Sequence, residues 1–102
     1  MTVAHIQIPE AEIATVCRHN RIRKLALFGS VLTDRFSPSS DIDVLVEFQP
    51  DAHVGFFRLA DIESELSLLL DGRKVDLRTP MDLSRHFREE VVRDAVVVYA
   101  EP

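Results

Sequence analysis

The stretch that decides the fold is residues 25–48, LALFGSVLTDRFSPSSDIDVLVEF. An apolar run ends at Gly29-Ser30, and after ten further residues Asp41-Ile42-Asp43 opens a second apolar run. Both runs have the length and the β-branched or aromatic content of buried strands, whereas the segment between them is polar and contains a proline. The pattern predicts two strands, over about 23–28 and 42–48, separated by a short helix over 29–36 and a loop.

Two acidic residues mark the start of the second predicted strand. Side chains alternate along a strand, so Asp41 and Asp43 are expected to point to the same face. Neighbouring carboxylates repel each other unless a cation lies between them, and oxygen ligands suit magnesium. Gly29 permits a close approach of the backbone, and Ser30 offers a hydroxyl and an N–H group that could hold a phosphate. The stretch therefore predicts a nucleotide site with magnesium; the alternative is two polar turns that flank two strands.

The spacing of Gly29-Ser30 and Asp41-x-Asp43 resembles the signature of the DNA polymerase β-like nucleotidyltransferase superfamily. The flanking residues are similar to those of its smallest branch, the minimal nucleotidyltransferase (MNT) domains. This resemblance implies a polymerase β-like nucleotidyltransferase fold, ATP as the substrate, and two Mg²⁺ ions held by Asp41 and Asp43. It also implies that Gly29 and Ser30 bind the β- and γ-phosphates of ATP.

A third acid, Asp76, lies in an alternating segment, residues 73–78, that is typical of a half-buried strand. Its two apolar neighbours are expected to face the core, so Asp76 faces the side on which the first two acids could lie. The resemblance implies that Asp76 completes the catalytic metal site and takes the proton from an attacking hydroxyl. The alternative is a surface aspartate paired with Lys74 or Arg78.

One departure from the commonest family pattern concerns phosphate binding. Many relatives carry Arg-Gly shortly after Gly-Ser, whereas this chain has Thr33-Asp34. Arg35 is the nearest arginine that could replace the missing one. The departure affects the expected contacts to the triphosphate more than the expected metal site. The cations beside the third acid, Arg73, Lys74 and Arg78, are expected to form a solvated face.

Length and composition limit the classes of protein. A chain of 102 residues predicts one domain, residues 1–102. The net charge of −5, without a basic tail, argues against stable nucleic-acid binding but is compatible with a nucleotide that carries magnesium. Cys17 is the only cysteine, so no internal disulfide is expected and a reducing cytoplasm fits. No apolar stretch approaches the roughly 20 residues that span a bilayer, and no signal peptide is recognisable, so the expected location is cytoplasmic, without membrane association.

The remaining residues predict helices that alternate with strands. Residues 1–8 are expected to form a short arm, followed by a helix from Pro9 to Asn20. An apolar stripe at helical spacing predicts a long helix whose stripe packs in the core: Phe56, Leu59, Ile62, Leu66, Leu69 and Leu70. Gly55-Phe56-Phe57 is interpreted as helix entry and core.

The C-terminal third predicts one more helix and one more strand. Thr79-Pro80 is typical of a helix start, and a helical stripe continues from Leu83 to Ala95. Residues 96–99 are expected to form a final short strand. The predicted architecture is α+β (two-layer α/β), a small mixed β-sheet with helices mainly on one face.

The resemblance implies an enzyme that transfers AMP from ATP to a hydroxyl group and releases pyrophosphate. MNT domains are usually antitoxins of HEPN/MNT toxin–antitoxin pairs, so the implied acceptor is a tyrosine of a partner HEPN toxin and the implied activity is protein adenylylation. Two alternatives stay open. The chain could neutralise its partner by contact alone, or it could be a small-molecule nucleotidyltransferase that acts in a homodimer.

Overall fold

A four-stranded mixed sheet forms the centre of the structure, a computed structural model that describes residues 1–102. The helices and strands follow one another as β1 (Thr2–Val3), β2 (Ile6–Gln7), α1 (Glu10–His19), β3 (Ile22–Phe28), β4 (Ile42–Phe48), α2 (Phe56–Leu69), β5 (Val75–Arg78), α3 (Arg88–Asp94) and β6 (Val96–Ala100). Single turns of 3-10 helix occupy Gly29–Leu32 and Pro80–Asp82.

The order of strands in the main sheet is β5-β4-β3-β6. β3 pairs antiparallel with β4 and with β6. β4 pairs parallel with β5, and helix α2 connects these two strands along the chain. The two strands predicted from residues 25–48 are therefore the two central strands, with bounds within one residue of those expected. This mixed sheet confirms the predicted fold class.

One face of the sheet, here called the packed face, carries Ile42, Val44 and Val46 of β4. These three side chains are fully buried. Helices α1 and α2 cover them with the buried residues Ile13, Cys17, Ile62, Leu66 and Leu70. Burying one such aliphatic side chain contributes about 1.5–3 kcal/mol. Because Cys17 is fully buried, desolvation raises the pKa of its thiol to about 12.

The opposite side, here called the open face, carries the alternate residues of β4. Leu45 is buried there next to Ala26 of β3, and both line a small cavity with Val92 and Ala95. Helix α3 therefore covers only the middle of the open face. The end of this face at which β4 begins keeps Asp43 partly exposed to solvent.

Residues 1–8 do not form the expected arm. β1 and β2 pair as an antiparallel hairpin, and Ala4 and His5 turn with positive φ values of 50° and 67°. Ile6 and Ile8 are buried in the core. The apolar residues at positions 6 and 8 alternate as in a strand, so both side chains turn into the core.

The predicted helix over 29–36 is also wrong. Only Gly29–Leu32 is helical, and Thr33 has extended backbone angles. The backbone N–H and the hydroxyl of Thr33 both donate to the carbonyl oxygen of Ser30, each at 2.9 Å. A side chain that bonds the preceding turn competes with helix continuation, so the chain leaves the helix after one turn.

The long apolar stripe of α2 packs in the core only over its C-terminal half. Phe56 and Phe57 are 79% and 84% exposed, so the interpretation of both as core residues is wrong although the helix does begin at Phe56. In the same way, Phe87 is 55% exposed, and α3 begins at Arg88 instead of continuing from the turn at Pro80–Asp82. The final strand is confirmed as β6. None of the helices combines the length and the apolar character that crossing a membrane requires.

Candidate active site

Three acids meet at the end of the open face where β4 and β5 begin. Asp41 directly precedes β4, Asp43 is the second residue of β4, and Asp76 is the second residue of β5. Asp43 and Asp76 are register partners in the parallel pair. Neighbouring strands lie about 4.8 Å apart, so these two side chains stand side by side. The structure thus brings together the three acids that the sequence singled out.

Gly29 lies against the carboxylate of Asp43. Its φ of +77° is a left-handed conformation that favours glycine, and a Cβ at this position would overlap Oδ2 of Asp43. Phe28 is the register partner of Asp43, so the pairing of β3 with β4 delivers the glycine turn to the acids. Ser30 follows in the same turn and is partly exposed. The glycine turn and the three acids therefore lie at the same end of the sheet.

The carboxylates influence one another electrostatically. Partial burial raises the pKa of Asp43, and the negative charges of Asp76 and then Asp41 raise it further, whereas Arg78 acts in the opposite direction. Burial and the two neighbouring negative charges thus make the ionised form of Asp43 less favourable than in water. A cation bound among these groups would remove that disadvantage.

Asp76 is paired with Arg78 across two contacts. Nε of Arg78 lies 3.2 Å from Oδ1 of Asp76, and Nη2 donates to Oδ2 at 3.2 Å. This hydrogen bond and the charge of Asp76 raise the pKa of Arg78. The alternative interpretation of Asp76, a pair with Arg78, is thus the arrangement in this structure. On the other side of the site, Nζ of Lys74 lies 3.9 Å from Oδ2 of Asp41.

The donor set fits a magnesium ion by its chemistry. Carboxylate oxygens are its preferred protein ligands, and the crowding that raises the pKa of Asp43 is of the kind that a divalent cation relieves. In the present side-chain arrangement no three His, Cys, Asp or Glu residues are grouped so that they could hold a metal ion. Binding of a metal by all three acids would therefore require their side chains to move closer together, and for Asp76 this movement competes with its pair with Arg78.

Arg73 supports the site in a way that the sequence did not indicate. It was expected on a solvated face, but its Nη2 donates to the carbonyl oxygens of Ser37 and Ser40, the latter at 3.0 Å. Its guanidinium also stacks 4.3 Å from the ring centroid of Phe36. These contacts hold the loop that leads into Asp41. The expectation for Arg73 was wrong because its partners are backbone carbonyl oxygens, and every residue has one whatever its type.

Comparison with known proteins identifies the family of this fold. Residues 11–99 match the family described as nucleotidyltransferase domain. Over 77 residues the chain is 27% identical to "Putative protein adenylyltransferase MJ1379" of Methanocaldococcus jannaschii, and the match covers 76% of each protein.

Two solved structures are similar. The first is described as that of a "putative minimal nucleotidyltransferase"; it is 28% identical, with a TM-score of 0.69, over 85% of this chain and 86% of that one. The second, a crystal structure of a toxin–antitoxin with AMP-PNP, has the same fold at 23% identity and a TM-score of 0.69, over 90% of this chain and 73% of that one. Because the family match spans most of its length, the chain belongs to the nucleotidyltransferase domain family, as the resemblance of residues 25–48 implied.

Proposed function

We propose that this chain transfers AMP from ATP to a tyrosine hydroxyl of a partner HEPN-type toxin, in a magnesium-dependent reaction, and thereby acts as an antitoxin. The observation that carries the proposal is the contact of Gly29 with the carboxylate of Asp43, beside its register partner Asp76. It joins a turn suited to phosphate with carboxylates suited to a metal. Membership of the nucleotidyltransferase family and the similarity to a protein named as an adenylyltransferase support the enzyme class.

In this proposal the residues of the glycine turn bind the triphosphate. The turn leaves Ser30 partly exposed, so its hydroxyl and backbone N–H are available to the β- and γ-phosphates. Asp41 and Asp43 would hold magnesium, joined by Asp76 once its pair with Arg78 opens. Bound magnesium would neutralise phosphate charge and stabilise the oxygens of the attacking and leaving groups.

The transfer itself exchanges one phosphorus–oxygen bond for another. The acceptor oxygen forms a bond to the α-phosphorus, the bond from that phosphorus to the bridging oxygen of the β-phosphate breaks, and pyrophosphate leaves. Asp76 takes the proton of the acceptor hydroxyl as general base. Its position at the start of an edge strand suits this role, because a hydroxyl can approach it from outside the sheet.

A protein acceptor matches the exposure of the site. The side chains of Asp41 and Asp76 are 45% and 35% exposed, on a face that α3 covers only in its middle. A partner would therefore deliver its hydroxyl from solvent while covering surface around the acids. Specific complexes usually bury about 1,200–2,000 Å² in total. The similarity to a chain of a toxin–antitoxin structure supports a toxin as this partner.

A second candidate, an antitoxin that acts by contact alone, is favoured by the pair between Asp76 and Arg78. Both carboxylate oxygens of Asp76 face the guanidinium. If this pair persists when nucleotide is present, Asp76 is less available as the third metal ligand and as the base. The chain would then bind the partner without modifying it.

One experiment separates these functions. The purified chain is incubated with ATP labelled in its α-phosphate, magnesium and either the candidate toxin or an aminoglycoside-like compound. Label on a tyrosine of the toxin supports adenylylation, a stable complex without label supports contact alone, and label on a small aminoglycoside-like acceptor supports the small-molecule enzyme. Asp76→Asn should abolish labelling but leave the complex measurable. The exposed Asp61→Asn on α2 is the matched control and should change neither. Loss of the complex in Asp76→Asn would instead make the site part of the docking surface.

A further inference from the structure

A cavity of about 610 Å³ opens beside the glycine turn, between the end of β3 and helix α3. Its walls are apolar and its rim is acidic, with these main contributors: Phe28, Leu32, Phe87, Val91, Glu90 and Asp94. The size lies within the range of about 300–1,000 Å³ that is usual for sites of small molecules and cofactors.

The cavity is continuous with the candidate active site. Gly29 lines it and also lies against the carboxylate of Asp43. Phe28, the register partner of Asp43, forms part of the same wall. A ligand whose phosphates lie at the glycine turn could therefore extend directly into this space.

The lining matches the chemistry of a nucleoside. Phe87 lines the cavity and is 55% exposed, and an exposed aromatic ring is the kind of group on which a base stacks. Glu90 takes part in no ion pair, whereas Asp94 is paired with Arg93 at 3.1 Å. A free carboxylate accepts hydrogen bonds from ribose hydroxyls or from an exocyclic amino group.

We infer that this cavity binds the base and ribose of the nucleoside triphosphate whose phosphates lie at Gly29 and Ser30. The inference rests on the proposed function, because it assumes a nucleotide at that turn. It assigns Phe87 as the stacking residue and Glu90 as the acceptor for the hydroxyl or amino donors of the nucleoside. Neither residue belongs to the motif in residues 25–48.

The test compares how tightly the chain binds a whole nucleotide and how tightly it binds the phosphate chain alone. Calorimetry with magnesium measures the binding of a non-hydrolysable ATP analogue and of inorganic tripolyphosphate to each variant. Phe87→Ala should weaken binding of the analogue by about 10-fold, because stacking on a base is lost. Its affinity for tripolyphosphate should not change. Glu90→Ala should also weaken only the analogue. Phe87→Tyr keeps an aromatic ring and should bind like the unaltered chain.

The control is Phe57→Ala, which removes an even more exposed phenylalanine that does not line the cavity. It should leave both affinities unchanged. Unchanged affinity of Phe87→Ala and Glu90→Ala for the analogue overturns the inference. If these variants bind the analogue normally but label the partner more slowly, the cavity holds the acceptor, and the inference is overturned in favour of that role.

Failure of the proposed function has a different signature. If the unaltered chain binds the analogue, and Phe87→Ala weakens that binding, but no label is transferred to any partner, then adenylylation fails and the nucleoside cavity stands. If the unaltered chain binds neither the analogue nor tripolyphosphate, both proposals fail. Thermal unfolding of each variant, measured in parallel, excludes misfolding as the cause of lost binding.

Discussion

The seven residues of strand β4 alternate between two faces that have opposite properties. On the packed face, Ile42, Val44 and Val46 are fully buried beneath α1 and α2. On the open face, Asp43 stays partly exposed beside Asp76, and only Leu45 is covered. The packed face stabilises the strand by apolar burial, and that rigidity holds the acids of the open face in place. The alternation of a strand thus separates stability from chemistry within one segment.

The comparison also shows that the open face lowers stability. The pKa of Asp43 is raised by burial and by two neighbouring negative charges, so its ionised form is disfavoured in the folded chain. The apolar contacts of the packed face must offset this cost. Substitutions on the two faces should consequently have opposite effects on folding and on transfer.

The largest effect is expected on the open face. Asp41→Asn combined with Asp43→Asn should reduce AMP transfer by about 10³-fold or more, as removal of a central electrostatic group does in other enzymes. The free energy of unfolding should not fall, because asparagine keeps the shape and removes repulsion. Transfer is measured with labelled ATP, and stability by urea unfolding. A double variant that transfers at the original rate would contradict the assignment of these acids to the metal.

A change on the packed face should do the reverse. Leu66→Ala, in the fully buried part of α2, should lower the free energy of unfolding by about 3 kcal/mol through lost burial and the resulting cavity. Leu68→Ala on the same helix is the matched control, because Leu68 is 82% exposed. It should change stability by no more than about 0.5 kcal/mol. Equal losses in both variants would mean that the packed face is not the source of stability.

Arg73 tests the loop that enters the open face. Arg73→Ala should cost about 2 kcal/mol of unfolding free energy, because its bonds to the carbonyls of Ser37 and Ser40 are lost. Amide hydrogen exchange over residues 36–41 should accelerate more than elsewhere. Arg73→Lys should recover little, since an ammonium group lacks the planar fork. The exposed neighbour Lys74→Ala should be near neutral, and an equal effect there would refute a specific role of Arg73.

The smallest effect concerns pH. The pKa of Asp43 in the folded chain lies above its ordinary value of 3.8, so the folded state binds this proton more tightly than the unfolded state. As the pH rises from 3.8 through the folded pKa, the contribution of Asp43 to stability falls, and above that pKa the loss is complete. In the presence of a chelator, Asp43→Asn should therefore be more stable than the unaltered chain at pH 7. The difference should vanish below pH 3.8, and a constant difference across the series would contradict this linkage.

The sequence predicts the ends of a helix or strand best where a glycine or a charged residue stands directly beside it. Gly29 and Asp41 delimit the two central strands, and Asp71-Gly72 ends α2, so these bounds were close to those observed. The chemistry of a nucleotide site predicts that the glycine turn and the first two acids lie together, and strand alternation with the family resemblance adds Asp76. Their roles in catalysis remain a prediction.

Other features could not be read from local pattern. Helical spacing identifies an apolar stripe but not how much of it meets the sheet, so the exposure of Phe56 was missed. The contacts of Arg73 join segments that are distant in sequence, which spacing does not specify. The pair of Asp76 with Arg78 is one of the two alternatives that the sequence offers, and local pattern does not decide between them. The helix after Gly29 is shorter than predicted because the hydroxyl of Thr33 donates to the carbonyl oxygen of Ser30. The sequence does not show whether a threonine makes this bond.

The position of β3 between β4 and β6 has a consequence for the order of events on the ribosome. β3 pairs with β4 soon after both have emerged, because register partners such as Phe28 and Asp43 are near in sequence. Its second edge must wait for β6, whose first residue, Val96, is the partner of Leu27. Closing so long a loop is slow, and until it closes an unpaired strand edge is exposed. A nascent chain that ends after β5 would therefore already hold its glycine turn and all three acids, yet would be most prone to aggregate at β3.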